Sequence, residues 1–164
     1  MGLTERINQT TKCTYYEGAI PIEHVYTYGL ALEEFFRSVK DKGKFLASTC
    51  PECGFTYLPN RIFCERCYVD IPKNQEVPGT GSVYAWTVVH LNTDESRKKE
   101  PVIAALIAMN ETDSLMLGYL LKVKPEEVFV GLYVKPVFKP KKDRIGHIDD
   151  IVGFEPADPG GTNG

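Results

Sequence analysis

The sequence has no apolar run that approaches the length of a membrane span, and its opening, MGLTERINQT, is too polar for a secretory signal. Those absences argue against a helical membrane protein and set the expectation of a cytoplasmic chain. Gly2 follows Met1, but the residues after it do not make an acylation signal. Net charge is also scarce. A formal charge of -3 leaves no general attraction to a polyanion or an anionic membrane. Histidine is rarer still, with only His24, His90 and His147. No Ser-His-acid order, phosphate loop or open metal triad accompanies them, so catalysis by the chain itself is not expected. His147 stands near Asp149 and Asp150, which reads as a surface cluster rather than a general-base pair. The 164 residues allow one ordinary domain or two small ones.

What the sequence does have is concentrated between Ser48 and Asp70, in STCPECGFTYLPNRIFCERCYVD. Four of the five cysteines lie here as two Cys-x-x-Cys pairs, Cys50/Cys53 and Cys64/Cys67. Two such turns facing each other form a tetrahedral cage of four sulfurs, which suits zinc, with iron in a rubredoxin-type site as the competitor. Disulfides fit poorly in a chain without a secretory signal, and nothing nearby reads as the strand-to-helix setting of a redox pair. Four thiolates close a metal site, whereas a catalytic zinc keeps a position open for water, so a structural zinc is expected. Gly54 suits the left-handed turn after Cys53, but Tyr68 occupies the matching place after Cys67, so the two knuckles read as inequivalent. Between the pairs, FTYLPNRIF reads as a two-stranded hairpin turning at Pro59-Asn60, with a core too small to fold without the ion. Cys13, the odd cysteine, reads as a plain surface or half-buried thiol.

Around this ribbon the chain divides as follows. Residues 1–27 read as an N-terminal arm, 28–71 as a helix and zinc ribbon, 72–80 as a linker, 81–156 as a barrel and 157–164 as a disordered tail. From Tyr28 to Lys42, Leu30, Leu32, Phe35, Phe36 and Val39 recur at helical spacing, and Gly43 is placed to end the helix. Such a helix covers the protein's own core or, with two adjacent phenylalanines widening its apolar face, meets a partner. Downstream, SVYAWTVVHL, VIAALIAM, SLMLGYLL, LYVKPVFKP and IDDIVGFEP read as five short strands. NTDESRKKE forms a charged loop, and KPEEVFVG a short helical turn before the fourth strand. The fold class is mainly β: a helix plus rubredoxin-like ribbon, then a five-stranded barrel of the OB type, with SH3-like barrels and sandwiches giving similar strings.

LEEFFRSVKDKGKFLASTCPECGFTYLPNRIFCERC resembles the N-terminal half of the zinc-ribbon/OB-fold proteins associated with acyl-CoA enzymes, long catalogued as a domain of unknown function. The Gly43-Lys44 pair, the four cysteines, and Pro59 and Arg61 before the second pair follow that pattern. GTGSVYAWTVVH, PVIAALIAMN, GLYVKPVFKP and IVGFEP resemble its barrel strands, so the likeness spans residues 28–155. It implies a non-catalytic scaffold that bridges thiolase or HMG-CoA-synthase-like enzymes and helps hold acyl-CoA. On that reading, CoA-binding candidates are Arg61, Phe63, Tyr84, Trp86, Lys135, Lys139, Lys141, Lys142 and Arg144, through base stacking and phosphate contacts. Tyr84 and Trp86 otherwise read as barrel core, and the basic run as a solvated edge. The partner-binding candidates are Leu32, Phe35 and Phe36. The alternative is a single-stranded nucleic-acid-binding zinc-ribbon/OB protein, which fold analogy favours and the acidic balance opposes.

Overall fold

The computed structural model describes residues 27–158 together with Thr11. The expected N-terminal arm falls almost wholly outside these residues, as do Cys13, His24 and the tail beyond Asp158.

Helix α1 spans Gly29–Lys42. Its end follows from Gly43, which takes the left-handed conformation at φ 66° and donates its N–H to the carbonyls of Ser38 and Val39. Lys40 and Lys42 lie in the last turn, where cations complement the helix dipole. The helical stripe read from the sequence is real, and its centre is buried. Phe35, Phe36, Ser38 and Val39 all face inward. The expectation that Phe35 and Phe36 keep aromatic surface free for a partner is therefore not met. Their exposures are 1% and 8%, and Leu32 packs against the same core.

After α1 come β1 (Phe45–Thr49), β2 (Thr56–Tyr57) and β3 (Asn74–Val77), in the sheet order β2-β1-β3. Two expectations change here. The FTYLPNRIF segment is not a self-paired hairpin. Thr56 and Tyr57 pair with Thr49 and Ser48 of β1, while Phe63 bridges to Asp70 in the second knuckle. The region read as a linker contains β3, which pairs with β1 from Phe45↔Val77 to Ser48↔Asn74. A polar sequence hides this strand because its side chains are exposed except for Val77.

The remaining strands are β4 (Gly81–Leu91), β5 (Arg97–Met109), β6 (Leu115–Leu120), β7 (Tyr133–Phe138) and β8 (Ile151–Pro156), ordered β4-β5-β6-β8-β7. All contacts are antiparallel except β6 with β8, and a short 3-10 turn at Pro125–Glu127 precedes β7. This is the expected five-stranded OB architecture. Its closure is narrow, with two residue pairs between β4 and β7 and one between β6 and β8. The charged segment expected as loop is partly strand, since β5 begins at Arg97.

One apolar core runs through both halves. It joins Phe35, Phe36, Val39, Phe45, Ala47, Leu58 and Val77 to Val83, Ile103, Ile107, Val134 and Phe154 of the barrel. Phe45 is the joint: its ring stacks on Phe35 at 5.6 Å and meets Phe138 edge-on at 5.4 Å. Gly79 lies against the same ring, where a Cβ would come within 2.6 Å of it. Gly118 likewise makes room for Phe154, whose ring would stand 2.7 Å from an added Cβ. A second, small cluster of Cys50, Tyr57, Cys64 and Ile71 forms around the knuckles.

Candidate functional site

The four cysteines expected to bind metal come together, with all their Sγ atoms within 4.8 Å of one another. Each knuckle is built the same way. Cys50 N–H donates to Phe55 O at 2.9 Å and Gly54 N–H to Cys50 O at 3.0 Å. In the second knuckle, Cys64 N–H donates to Val69 O at 2.8 Å and Tyr68 N–H to Cys64 O at 2.9 Å. The turn residues Gly54 and Tyr68 have φ of 71° and 57°. The inequivalence expected from Tyr68 is thus absent from the backbone, because Tyr68 adopts the left-handed conformation at a cost on the order of 1 kcal/mol.

The geometry fits zinc. A tetrahedron with metal–sulfur bonds of about 2.3 Å has sulfur–sulfur edges of about 3.8 Å. The Cys53 and Cys64 sulfurs are 3.8 Å apart. Cys50 and Cys64 are buried, Cys67 is half-buried and Cys53 exposed, so the ion would sit at the edge of the ribbon with no coordination position left for water. Zinc would supply cross-linking between two turns whose own apolar cluster is small, and no chemistry.

Sequence reasoning missed Tyr57. Its hydroxyl lies 3.3 Å from Cys64 Sγ. Hydrogen bonding to this hydroxyl lowers the Cys64 thiol to about 6, and the same contact, aided by burial, pushes Tyr57 up to about 12. Cys67, hydrogen-bonded to Cys53 and partly desolvated, is pushed up to about 12. Four thiols this close do not ionise together without a cation to offset their repulsion. Arg61 and Arg66 cover the cluster from outside, over the Tyr57 ring at 4.8 Å and the Phe55 ring at 4.0 Å.

The other sequence candidates scatter. Arg144 is a structural bracket: its Nε donates to Lys139 O at 2.6 Å, and its guanidinium reaches Val39 O at the end of α1. Lys135 is drawn to Glu155, which Lys122 also engages. Lys139 is half-buried, and Lys141 and Lys142 are exposed on a 3-10 turn. Tyr84 and Trp86 are not barrel core. A bulge between Val83 and Ala85 disrupts the expected alternation, and the two aromatics are 60% and 36% exposed. Nearby in sequence, Asp150 is fully buried. Burial raises its carboxyl, but backbone N–H groups of Ile145, Gly146 and His147 outweigh that and hold it below the ordinary value. The His147–Asp149 pair, 3.1 Å apart, lies at the surface.

Arg61, Phe63 and Leu32 do meet. They line a groove of about 460 Å³ between the start of α1 and the Pro59–Phe63 loop, together with Tyr28, Leu30 and Asn60. A second surface escaped the sequence reading altogether. Leu115, Leu117 and Tyr119 alternate outward along β6 and are 47%, 72% and 55% exposed. They pair with Ala108, Leu106 and Ala104 of β5, giving an apolar outer face without a charged side chain in those positions. The signal was there in SLMLGYLL, which is apolar on both faces of a strand that buries only one. Among the described residues, no helix is long and apolar enough to cross a membrane.

Comparison with known proteins agrees with this architecture. Residues 37–72 match the family described as ChsH2, rubredoxin-like zinc ribbon domain, and residues 74–139 match ChsH2, C-terminal OB-fold domain. A DUF35 domain-containing scaffold protein of Methanocaldococcus jannaschii is 29% identical, covering 66% of this chain and 77% of its own. One from Methanothermobacter thermautotrophicus is 24% identical, covering 73% and 88%. A crystal structure of a DUF35-family protein of unknown function from Sulfolobus solfataricus has a TM-score of 0.55 at 29% identity, covering 66% and 78%. The structure titled Ltp2-ChsH2(DUF35) aldolase has a TM-score of 0.56 at 20% identity over 75% and 91%, a likeness of fold. With a four-cysteine ribbon followed by an OB sheet, and with both matched segments together spanning more than half its length, the chain belongs to the ChsH2 zinc-ribbon/OB-fold family, also called DUF35.

Proposed function

We propose that the chain is a non-catalytic accessory subunit that docks a thiolase-type or HMG-CoA-synthase-like enzyme and helps hold its acyl-CoA. Several relatives carry the name scaffold protein, and a fold neighbour is described together with an aldolase partner. The observation that carries the reading is the apolar outer face of β5 and β6, centred on Leu117 and Tyr119. Exposed leucine and tyrosine on one flat sheet face suit a protein interface, with aromatic anchors at its centre. The docking surface is thus moved from the phenylalanines of α1, which the core consumes, to the outer barrel face.

That face also separates this reading from nucleic-acid binding. OB folds bind oligonucleotides across their second and third strands, which are β5 and β6 here. A strand reader needs cations along its groove for the phosphates. Leu106, Leu115, Leu117 and Tyr119 offer apolar surface and one ring instead.

The test is affinity capture from the native cell with the wild type and with Leu117→Asp. The wild type should bring down an acyl-CoA enzyme of the thiolase class. The variant should lose it while keeping its unfolding midpoint, because Leu117 is exposed. An Ala truncation of Tyr119 should cost about 2 kcal/mol of partner affinity if it is a hot spot. Capture of an unrelated enzyme, or a sub-micromolar single-stranded oligonucleotide complex at physiological salt, would overturn the reading.

A further inference from the structure

The groove at the start of α1 holds an unsatisfied buried group. Asn60 is only 2% exposed, and its Oδ1 has no hydrogen-bond donor among the described residues. Its orientation is fixed chemically. Nδ2 faces Glu34 Oε2 at 3.5 Å, and a carboxylate only accepts, so the nitrogen belongs on that side and the oxygen on the other. The backbone around it is held as well. Asn60 N–H donates to Leu46 O at 3.0 Å, and Ser48 Oγ both accepts from Arg61 N–H at 2.8 Å and donates to Arg61 O at 3.1 Å. An acceptor held in place without a partner favours a ligand that supplies an N–H.

The rest of the groove narrows the ligand class. Leu30, Ile62 and Phe63 are 75%, 52% and 52% exposed and line it with apolar surface. Arg61 also lines the groove, and its neighbour Glu65, at 2.5 Å, occupies only part of a guanidinium fork with several donors. A volume of about 460 Å³ is within the range of small-molecule sites. An occupant that fits is a slender, mostly apolar chain carrying secondary amides and ending in a phosphate. Resting on the acyl-CoA reading above, we infer that this groove takes the pantetheine arm of acyl-CoA, with Asn60 Oδ1 accepting an amide N–H and Arg61 facing the phosphate. The basic edge of the barrel is the weaker location, because Arg144 and Lys135 are already committed to Lys139 O, Val39 O and Glu155.

The experiment is calorimetric titration of the full-length, zinc-loaded chain with CoA, pantetheine and ADP. Asn60→Ala should weaken CoA and pantetheine roughly tenfold and leave ADP unchanged, the loss of one buried hydrogen bond. Arg61→Gln should weaken CoA and ADP and spare pantetheine. Leu30→Asp, at an exposed position outside the core, should weaken pantetheine without altering zinc content or the unfolding midpoint, which guards against misfolding of the Asn60 variant. Wild-type CoA binding that neither Asn60→Ala nor Leu30→Asp alters would overturn this groove and leave the acyl-CoA reading standing. No CoA binding by the wild type would overturn both.

Discussion

Replacing Phe45 by Ala tests whether the helix, ribbon sheet and barrel form one cooperative unit. Phe45 is 1% exposed, stacks on Phe35 of α1 and meets Phe138 of β7. Truncating a buried phenylalanine costs about 3–5 kcal/mol, and loss of two aromatic pairs puts this case in the upper half, about 4 kcal/mol. For a chain of this size, each kcal/mol lowers the melting temperature by about 3 °C, so a fall of roughly 12 °C is expected. Trp86, the one tryptophan, reports the barrel by fluorescence. Cobalt exchanged into the four-thiolate cage reports the ribbon by its absorption. Both signals should shift together, because Phe45 belongs to the core that spans both halves. A variant whose cobalt transition falls while the Trp86 transition stays at the wild-type temperature would refute the single core and restore an independent ribbon.

Cys64→Ser should abolish tight zinc binding, read as metal per chain, and loosen the knuckles while the Trp86 transition persists, since the cysteine cluster is separate from the main core. Tyr68→Gly should stabilise the ribbon by up to about 1 kcal/mol in urea unfolding, because it relieves left-handed strain at a side chain that is 85% exposed; a destabilised variant would show that the ring makes a contact worth more than the strain. Asp150→Asn should cost about 2 kcal/mol at neutral pH, because the carboxylate accepts from the N–H groups of Ile145, Gly146 and His147. Its folded-state value lies below the ordinary one, so the contribution is full above the unfolded value of about 3.9 and is lost as pH falls through the lower folded value. The gap between wild type and variant should therefore close in acid, and a gap that stays constant down to low pH would contradict the assignment.

The metal cage was legible because Cys-x-x-Cys spacing is a local constraint: three positions on a tight turn aim two sulfurs at one point wherever the turn sits. Helix α1 and the five barrel strands were legible for a related reason, since periodicity and terminators such as Gly43 act within a few residues. What misled were statements about which surfaces meet. The polar residues around β3 read as linker because a short edge strand with exposed side chains has no apolar alternation to show. The phenylalanines of α1 read as a partner surface because the small ribbon alone has little for them to cover. The barrel supplies that cover through Phe45, and no local pattern records such a contact between distant segments.

The sequence by itself determined the zinc ligands, the strand inventory, the family and the absence of a recognisable catalytic constellation, all of them consequences of residue type and short spacing. Only the tertiary structure decided that Arg144 braces α1, that Tyr57 serves Cys64, that the exposed apolar face lies on β5 and β6, and that Asn60 keeps an unpaired acceptor beside a groove. Each of these depends on what packing covers and what it leaves uncovered, which is settled only when distant segments compete for the same surface.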